Sequence, residues 1–227
     1  EKYDKMHACA KHFAVHSGPE WNRHTFNAEN ISPRDLYETY LPAFEALVKE
    51  GNVKEVMCAY NRFEGDPCCN SDQLLINILR NEWNYQGIVV SDCWAIADFF
   101  REENSHHTHP DSASASAAAV LSGTDLECGD SYQSLVNGVK RGLIKESDLD
   151  VSVKRLLKAR YELGEMDDPA EVSWTKIPYS VVASCSVWIS SKLWHEATAM
   201  DSSNRHIYLS VYRIFVSLDS SLTRFWY

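Results

Sequence analysis

Gly87-Ile88-Val89-Val90-Ser91-Asp92-Cys93-Trp94-Ala95-Ile96 is the stretch whose reading decides the fold. Ile88, Val89 and Val90 form a short apolar run rich in β-branched side chains, with Gly87 before it and polar Ser91 and Asp92 after it. A continuous apolar run of that length suits a strand buried on both faces, as in a parallel sheet. Asp92 then falls at the carboxyl end of the strand, where parallel α/β architectures gather their chemistry. Trp94, Ile96, Phe99 and Phe100 read as a helix-compatible segment completing a strand-loop-helix step. Two readings of Asp92 stand at this point: a group presented for chemistry, or a cap of the following helix.

The same step recurs on either side. Upstream, Val56-Met57-Cys58-Ala59-Tyr60 reads as a strand, and Asn70-Ser71-Asp72 caps a helix with Leu74, Leu75, Ile78, Leu79 and Trp83 on one face. Before that, residues 7–15 read as a first strand. Ser32-Pro33-Arg34-Asp35 opens a helix carrying Leu36, Tyr40, Phe44, Leu47 and Val48 up to Gly51. Downstream comes a His-rich loop, Ser105-His106-His107-Thr108-His109-Pro110, then an Ala-rich helix over 112–121 and a polar strand-like piece over 123–129. Helices over 132–141 and from Glu146 to Gly164 follow, the second with Leu149, Val153, Leu156, Leu157 and Tyr161. The alternation β-α-β-α-β-α-β-α predicts an α/β fold with parallel strands, four units being half of a (β/α)8 TIM-type barrel. Half a barrel leaves two raw sheet edges. The predicted domain covers 1–168, a linker 169–184, and an atypical Ser-, Trp- and Tyr-rich tail 185–227 fits no architecture.

Composition narrows the partners. The chain has 227 residues, 44% of them hydrophobic, and a formal net charge of −10. That balance argues against nucleic acid, since no cationic excess exists to displace counterions. No apolar run approaches the ~18 residues of a membrane span. The opening, Glu1-Lys2-Tyr3-Asp4, reads as the interior of a longer chain. Seven cysteines without framework spacing read as small buried thiols, with Cys9, Cys58, Cys93 and Cys128 in or beside apolar runs.

Three predicted strand ends carry polar groups: Lys11-His12, Tyr60-Asn61 and Asp92. In a barrel these converge on one mouth, and cation, imidazole, phenol and carboxylate together suit a polyhydroxylated substrate. Each also has a plain structural reading: solvated lysine, core histidine, core aromatic. The His106-His107-Thr108-His109 cluster could suggest a metal, but a loop beside Asp111 and Ser112 lacks the rigid support a zinc site needs, so it reads as a solvated turn. No metal and no cofactor is expected.

Ala10-Lys11-His12-Phe13-Ala14, Val56-Met57-Cys58-Ala59-Tyr60-Asn61 and Val89-Val90-Ser91-Asp92-Cys93 resemble the signature blocks of glycoside hydrolase family 3. The flanking pieces Arg34-Asp35-Leu36-Tyr37-Glu38, Gly123-Thr124-Asp125-Leu126 and Arg155-Leu156-Leu157-Lys158-Ala159-Arg160 agree in order and spacing, so the likeness covers about residues 6–184. Ser91-Asp92-Cys93 and Asp125-Leu126-Glu127-Cys128-Gly129 look like its β-xylosidase and β-glucosidase branch. The resemblance implies the last four βα units of the family's barrel, and a retaining, exo-acting site for a terminal sugar of an oligosaccharide. Asp92 would be the nucleophile. Lys11, His12 and Arg23 would hold sugar hydroxyls, and Met57 and Tyr60 would line the subsite. Cys93 stands where many relatives place Trp. The general acid/base of most members comes from a Glu on a following α/β domain, and the tail here does not resemble it. A branch cleaving amino sugars uses an Asp–His pair instead; His24 sits at the comparable place, but Asn22 stands where that Asp would be. The resemblance further implies a missing barrel half, a missing α/β domain, and a secreted or periplasmic setting.

Overall fold

The computed structural model describes residues 2–181, so the tail at 185–227 lies outside the described residues. The chain divides into one compact unit spanning Met6–Glu162 and another formed by residues 1–5 with the chain from Leu163 onward. In the smaller unit, Tyr3 and Val172 are buried, and the Trp174 indole N–H donates to the Tyr3 carbonyl at 3.1 Å. Gly164 turns there with φ +78°, in the left-handed region open to glycine.

The larger unit contains the strands β1 (Cys9–Phe13), β2 (Asn27–Ala28), β3 (Glu55–Cys58), β4 (Arg62–Phe63), β5 (Asp66–Pro67) and β6 (Ile88–Ser91). β1, β3 and β6 form a parallel sheet in that order. Val56 pairs with Val89, Met57 with Val90 and Cys58 with Ser91, which places Asp92 just beyond the carboxyl end of β6. All four residues of β6 are buried, as its apolar run predicts. Gly87 precedes it because a Cβ there would collide with the Lys54 carbonyl and the Tyr85 hydroxyl. β2, β4 and β5 make a small second sheet, with Glu64 (φ 50°) and Gly65 (φ +99°) closing the β4–β5 hairpin. Two consecutive left-handed residues match the twist of a tight hairpin.

Capping chemistry sets the helix starts. The Ser32 hydroxyl accepts from Asp35 N–H at 3.1 Å. That helix widens to π-type bonding over Leu36–Tyr40 and resumes at Pro42–Lys49, because Pro42 has no N–H to continue the regular ladder. Ser71 likewise accepts from Leu74 N–H at 3.4 Å, opening a wide-turn helix over Asp72–Glu82. Its Leu74, Leu75, Ile78 and Leu79 are buried, each contributing roughly 2–3 kcal/mol of apolar burial. Phe13 of β1 packs edge-on against Phe44 and Trp83, with ring centroids 5.0 and 5.8 Å away. The Ala-rich helix Ser112–Leu121 starts on a reciprocal capping box between Asp111 and Ser114.

Several expectations are corrected. No helix directly follows Asp92: Trp94 adopts φ 67°, which breaks helical bonding, and the chain makes turns with a short 3₁₀ piece at Ala97–Phe99. The piece at 123–129 is no strand but a single parallel bridge between Val90 and Leu126. It stops there because Glu127 turns to accept from the Ser131 and Tyr132 N–H groups. On the helix Glu146–Glu162, Ser152 and Ala159 are buried, while Val153, Leu157 and Tyr161 are exposed. Polar anchoring of Ser152 and Arg155 to Asp125 fixes that rotation. Finally, four cysteines are paired and not free thiols: Cys58–Cys69 and Cys93–Cys128, with Cα separations of 5.1 and 4.3 Å. Folding brings together cysteines on strand ends and neighbouring turns whose spacing along the chain gave no framework. Cys68 does remain a thiol, donating to the Ala14 carbonyl at 3.4 Å, and burial pushes it up to about 12, which keeps it unreactive.

Candidate active site

The carboxyl ends of β1, β3 and β6 carry the groups that the sequence singled out. Asp92 is largely buried, its side chain 13% exposed. One oxygen, Oδ1, accepts from the Cys93 N–H at 2.8 Å, and the other, Oδ2, lies 3.2 Å from His12 Nε2. The main chain is fixed as well, Asp92 N–H donating to the Cys58 carbonyl at 3.2 Å. This is not a helix cap, because no helix begins here. Burial chiefly, then the charges of Lys11, His16 and Arg23, lower His12 to about 4 against the pull of Asp92. His12 is therefore neutral near pH 7.

Tyr60 stands between this carboxylate and a second group of side chains. Its hydroxyl donates to the Cys93 carbonyl at 2.7 Å, and burial first, then the neighbouring Asp92 charge, push the phenol well up. The Arg23 guanidinium lies over the Tyr60 ring at 5.2 Å, and the His24 ring is 4.4 Å from it. Arg23, His24, Tyr60, Cys93, Trp94 and Arg101 line an open cavity of about 400 Å³. Lys11 is exposed beside His12, and Met57 is half-buried on β3 in register with Val90. The geometry thus joins Asp92, His12, Tyr60 and Arg23 into one neighbourhood, while Lys11 and Met57 are placed beside it without a direct bond to Asp92.

Backbone strain marks the rim. Val15 and Trp94, a β-branched and a bulky residue, both take left-handed φ values of 56° and 67°. Such conformations cost about 1–3 kcal/mol each and concentrate at functional sites. Neighbouring contacts hold them: Trp94 N–H donates to the Cys128 carbonyl at 2.6 Å, and the Cys93–Cys128 bridge ties the same two loops. Buried Asn61 clamps the β1 end through the Ala14 and Val15 carbonyls, both at 3.4 Å, and through His16 at 3.2 Å.

Sequence reasoning missed three participants. Asp98 is buried and bonds His24 Nδ1 at 2.6 Å, a partner invisible to a search confined to the loop around Asn22. His106 is buried rather than part of a solvated turn, its Nε2 2.7 Å from the Tyr60 carbonyl. His107 and His109 are engaged separately, with Ser105 at 3.4 Å and Thr108 at 3.0 Å. The Cys93–Cys128 bridge had one usable signal: each cysteine immediately follows an acidic residue at the end of an apolar or strand-like run.

Comparison with known proteins identifies the family. The Glycosyl hydrolase family 3 N terminal domain matches residues 2–159. The chain is 53% identical over 184 residues to a xylan 1,4-beta-xylosidase of Xylanibacter ruminicola, covering 80% of this chain and 21% of that protein. It is 36% identical over 167 residues to beta-D-xylosidase 1 of Arabidopsis thaliana, covering 72% and 21% respectively. Among solved structures, it is similar to a GH3 exo-beta-xylosidase (XlnD) in complex with a xylobiose aziridine activity-based probe. That match has TM-score 0.76 and 29% identity over 88% of this chain and 25% of the other. A beta-glucosidase from Listeria innocua in complex with glucose matches with TM-score 0.65 and 31% identity over 77% and 23%. The chain therefore spans about a fifth to a quarter of the length of these proteins. With the family's domain matching most of its length, the chain belongs to glycosyl hydrolase family 3, whose N-terminal domain is an α/β fold of TIM-barrel type.

Proposed function

We propose that this chain carries the nucleophile side of a retaining, exo-acting β-glycosidase site of the β-xylosidase type, within the last four βα units of a barrel. Asp92 is the nucleophile, Lys11, His12 and Arg23 hold hydroxyls of the terminal sugar, and Met57 and Tyr60 line its subsite. The observation that carries the reading is Asp92 at the end of β6 with one oxygen fixed by Cys93 N–H and the other beside His12. The first-named relative is a xylosidase at 53% identity, which favours a xyloside over a glucoside.

In this reading the Asp92 carboxylate attacks the anomeric carbon, forming an ester bond to the sugar as the glycosidic C–O bond breaks. A second carboxyl ~5–5.5 Å away gives its proton to the leaving oxygen, then takes one from the water that cleaves the ester. In this reading the acid/base is the Glu that the family resemblance places on a following α/β domain, and proton transfer by such a group is worth ~10²–10⁴-fold.

The test is release of p-nitrophenol from the β-xyloside and β-glucoside by the full-length protein. Asp92→Ala is expected to lose about 10⁴-fold in kcat, the scale of removing one member of a covalent catalytic set. Turnover that persists in Asp92→Ala rejects the nucleophile assignment. The product is expected to keep its anomeric configuration, and inversion contradicts the mechanism.

A further inference from the structure

We propose that Asp98 and His24 form a positioning relay that fixes Arg23 against the sugar subsite, a role resting on the reading of Arg23 and Tyr60 given above. Asp98 is buried, its side chain 2% exposed. Its Oδ2 is 2.6 Å from His24 Nδ1. The other ring nitrogen, His24 Nε2, accepts from Arg23 Nε at 3.2 Å. One imidazole thus has both nitrogens engaged, and the arrangement defines its tautomer: a proton on Nδ1 directed to Asp98, and a lone pair on Nε2 directed to Arg23. His24 also packs against the Tyr60 ring, over which the Arg23 guanidinium lies. The chain of contacts runs from a buried carboxylate, through an imidazole, to a cation lining the cavity.

Asp98 is itself anchored. Its carbonyl accepts from the His106 N–H at 2.6 Å, and His106 holds the Tyr60 carbonyl. Arg101 approaches the other carboxylate oxygen at 3.9 Å. Burial raises the Asp98 carboxyl, against the pull of His24. Stability alone explains the buried Asp98 carboxylate poorly, because taking a charge out of water commonly gains little over an apolar replacement of equal volume. Its consequence lies at the far end. Arginine has many rotamers, and seating its Nε on a fixed acceptor leaves fewer to be frozen when sugar binds. Neither Asp98 nor His24 needs to touch the sugar for this.

A double-mutant cycle in the full-length protein, read on p-nitrophenyl β-xyloside with unfolding midpoints measured alongside, tests the relay. Asp98→Ala is expected to lower kcat/KM by about 10- to 100-fold, the scale of a small misplacement at a reacting centre. The double variant Asp98→Ala with Arg23→Ala is expected to lose no more than Arg23→Ala alone, because Asp98 acts through Arg23. His24→Gln, whose amide can donate one way and accept the other, is expected to recover most of what His24→Ala loses. Multiplying losses in the double variant, or no recovery with Gln, overturns the relay. If Asp98→Ala fails to fold, Asp98→Asn takes its place in the cycle with the same non-additivity expected. Activity that disappears in Asp92→Ala while the cycle is additive rejects the relay and leaves the glycosidase reading intact. A full-length protein that hydrolyses neither glycoside rejects both.

Discussion

Asp92 and Asp125 stand at the ends of neighbouring parallel segments, yet their carboxylates live in opposite conditions. Asp125 has no exposed side-chain surface and is closed on every side. Oδ2 accepts from Arg80 Nη2 at 2.8 Å and from Val89 N–H at 2.9 Å, while Oδ1 accepts from Arg155 Nη1 at 2.7 Å and Ser152 at 2.9 Å. Asp92 has a single backbone donor on one oxygen and a neutral histidine beside the other. Coordination separates the two roles. A carboxylate with both oxygens saturated is a structural node joining β6 to two helices, whereas one with room on an oxygen can approach an electrophile.

The largest expected difference is in what each substitution destroys. Asp125→Asn leaves Arg80 and Arg155 with a neutral partner in a buried place, so a loss of about 3–5 kcal/mol of stability is expected. Denaturant midpoints measure it. Asp92→Asn is expected to change stability by only about 1 kcal/mol while removing turnover. Equal stability losses at both positions would erase the contrast.

A smaller effect separates the loops that carry them. Cys93 follows Asp92, Cys128 lies beyond Asp125, and their bridge closes a loop with a sequence separation of 35. Replacing both with Ala is expected to cost about 2–4 kcal/mol. The loss of activity is expected to exceed what the stability loss explains, since Tyr60 is held through the Cys93 carbonyl. Activity of the folded variant equal to the parent's would show that the bridge serves stability alone.

The smallest effect is a pH dependence. Burial lowers both His106 and His12 to about 4, so each stays neutral in the folded protein while its unfolded counterpart takes a proton near pH 6.5. The unfolded state then binds more protons between about pH 4 and 6.5, and stability falls as pH falls through that window. Asp98, raised by burial, acts in the opposite sense and softens the slope. Urea midpoints at pH 7 and pH 5 are expected to differ less in His106→Gln, which keeps a donor for the Tyr60 carbonyl. An unchanged difference would remove His106 from the set.

The contrast between the two carboxylates also explains what the sequence could and could not disclose. Local chemistry was legible: the buried run Ile88–Val90, the Ser32 and Ser71 caps, and the apolar face of the helix at Asp72–Glu82 all act within a few residues. Strand ends named as candidates, His12, Tyr60 and Asp92, do meet, because parallel register places them side by side. Long-range pairings were not legible. Arg80 and Arg155 converge on Asp125, Asp98 reaches His24, and Cys93 reaches Cys128, each across tens of residues. The same blindness made Trp94 read as helical and Val153, Leu157 and Tyr161 read as core, since periodicity reports a pattern but not which partner is present to bury it.

The most direct check on Asp92 is to stop the reaction at the ester. The full-length protein is incubated with a 2-deoxy-2-fluoro-β-xylosyl fluoride, which slows hydrolysis of the covalent intermediate, and digested peptides are mapped by mass spectrometry. One sugar on Asp92 is the expected result. A sugar on any other carboxylate, or continued inactivation in Asp92→Ala, would contradict it.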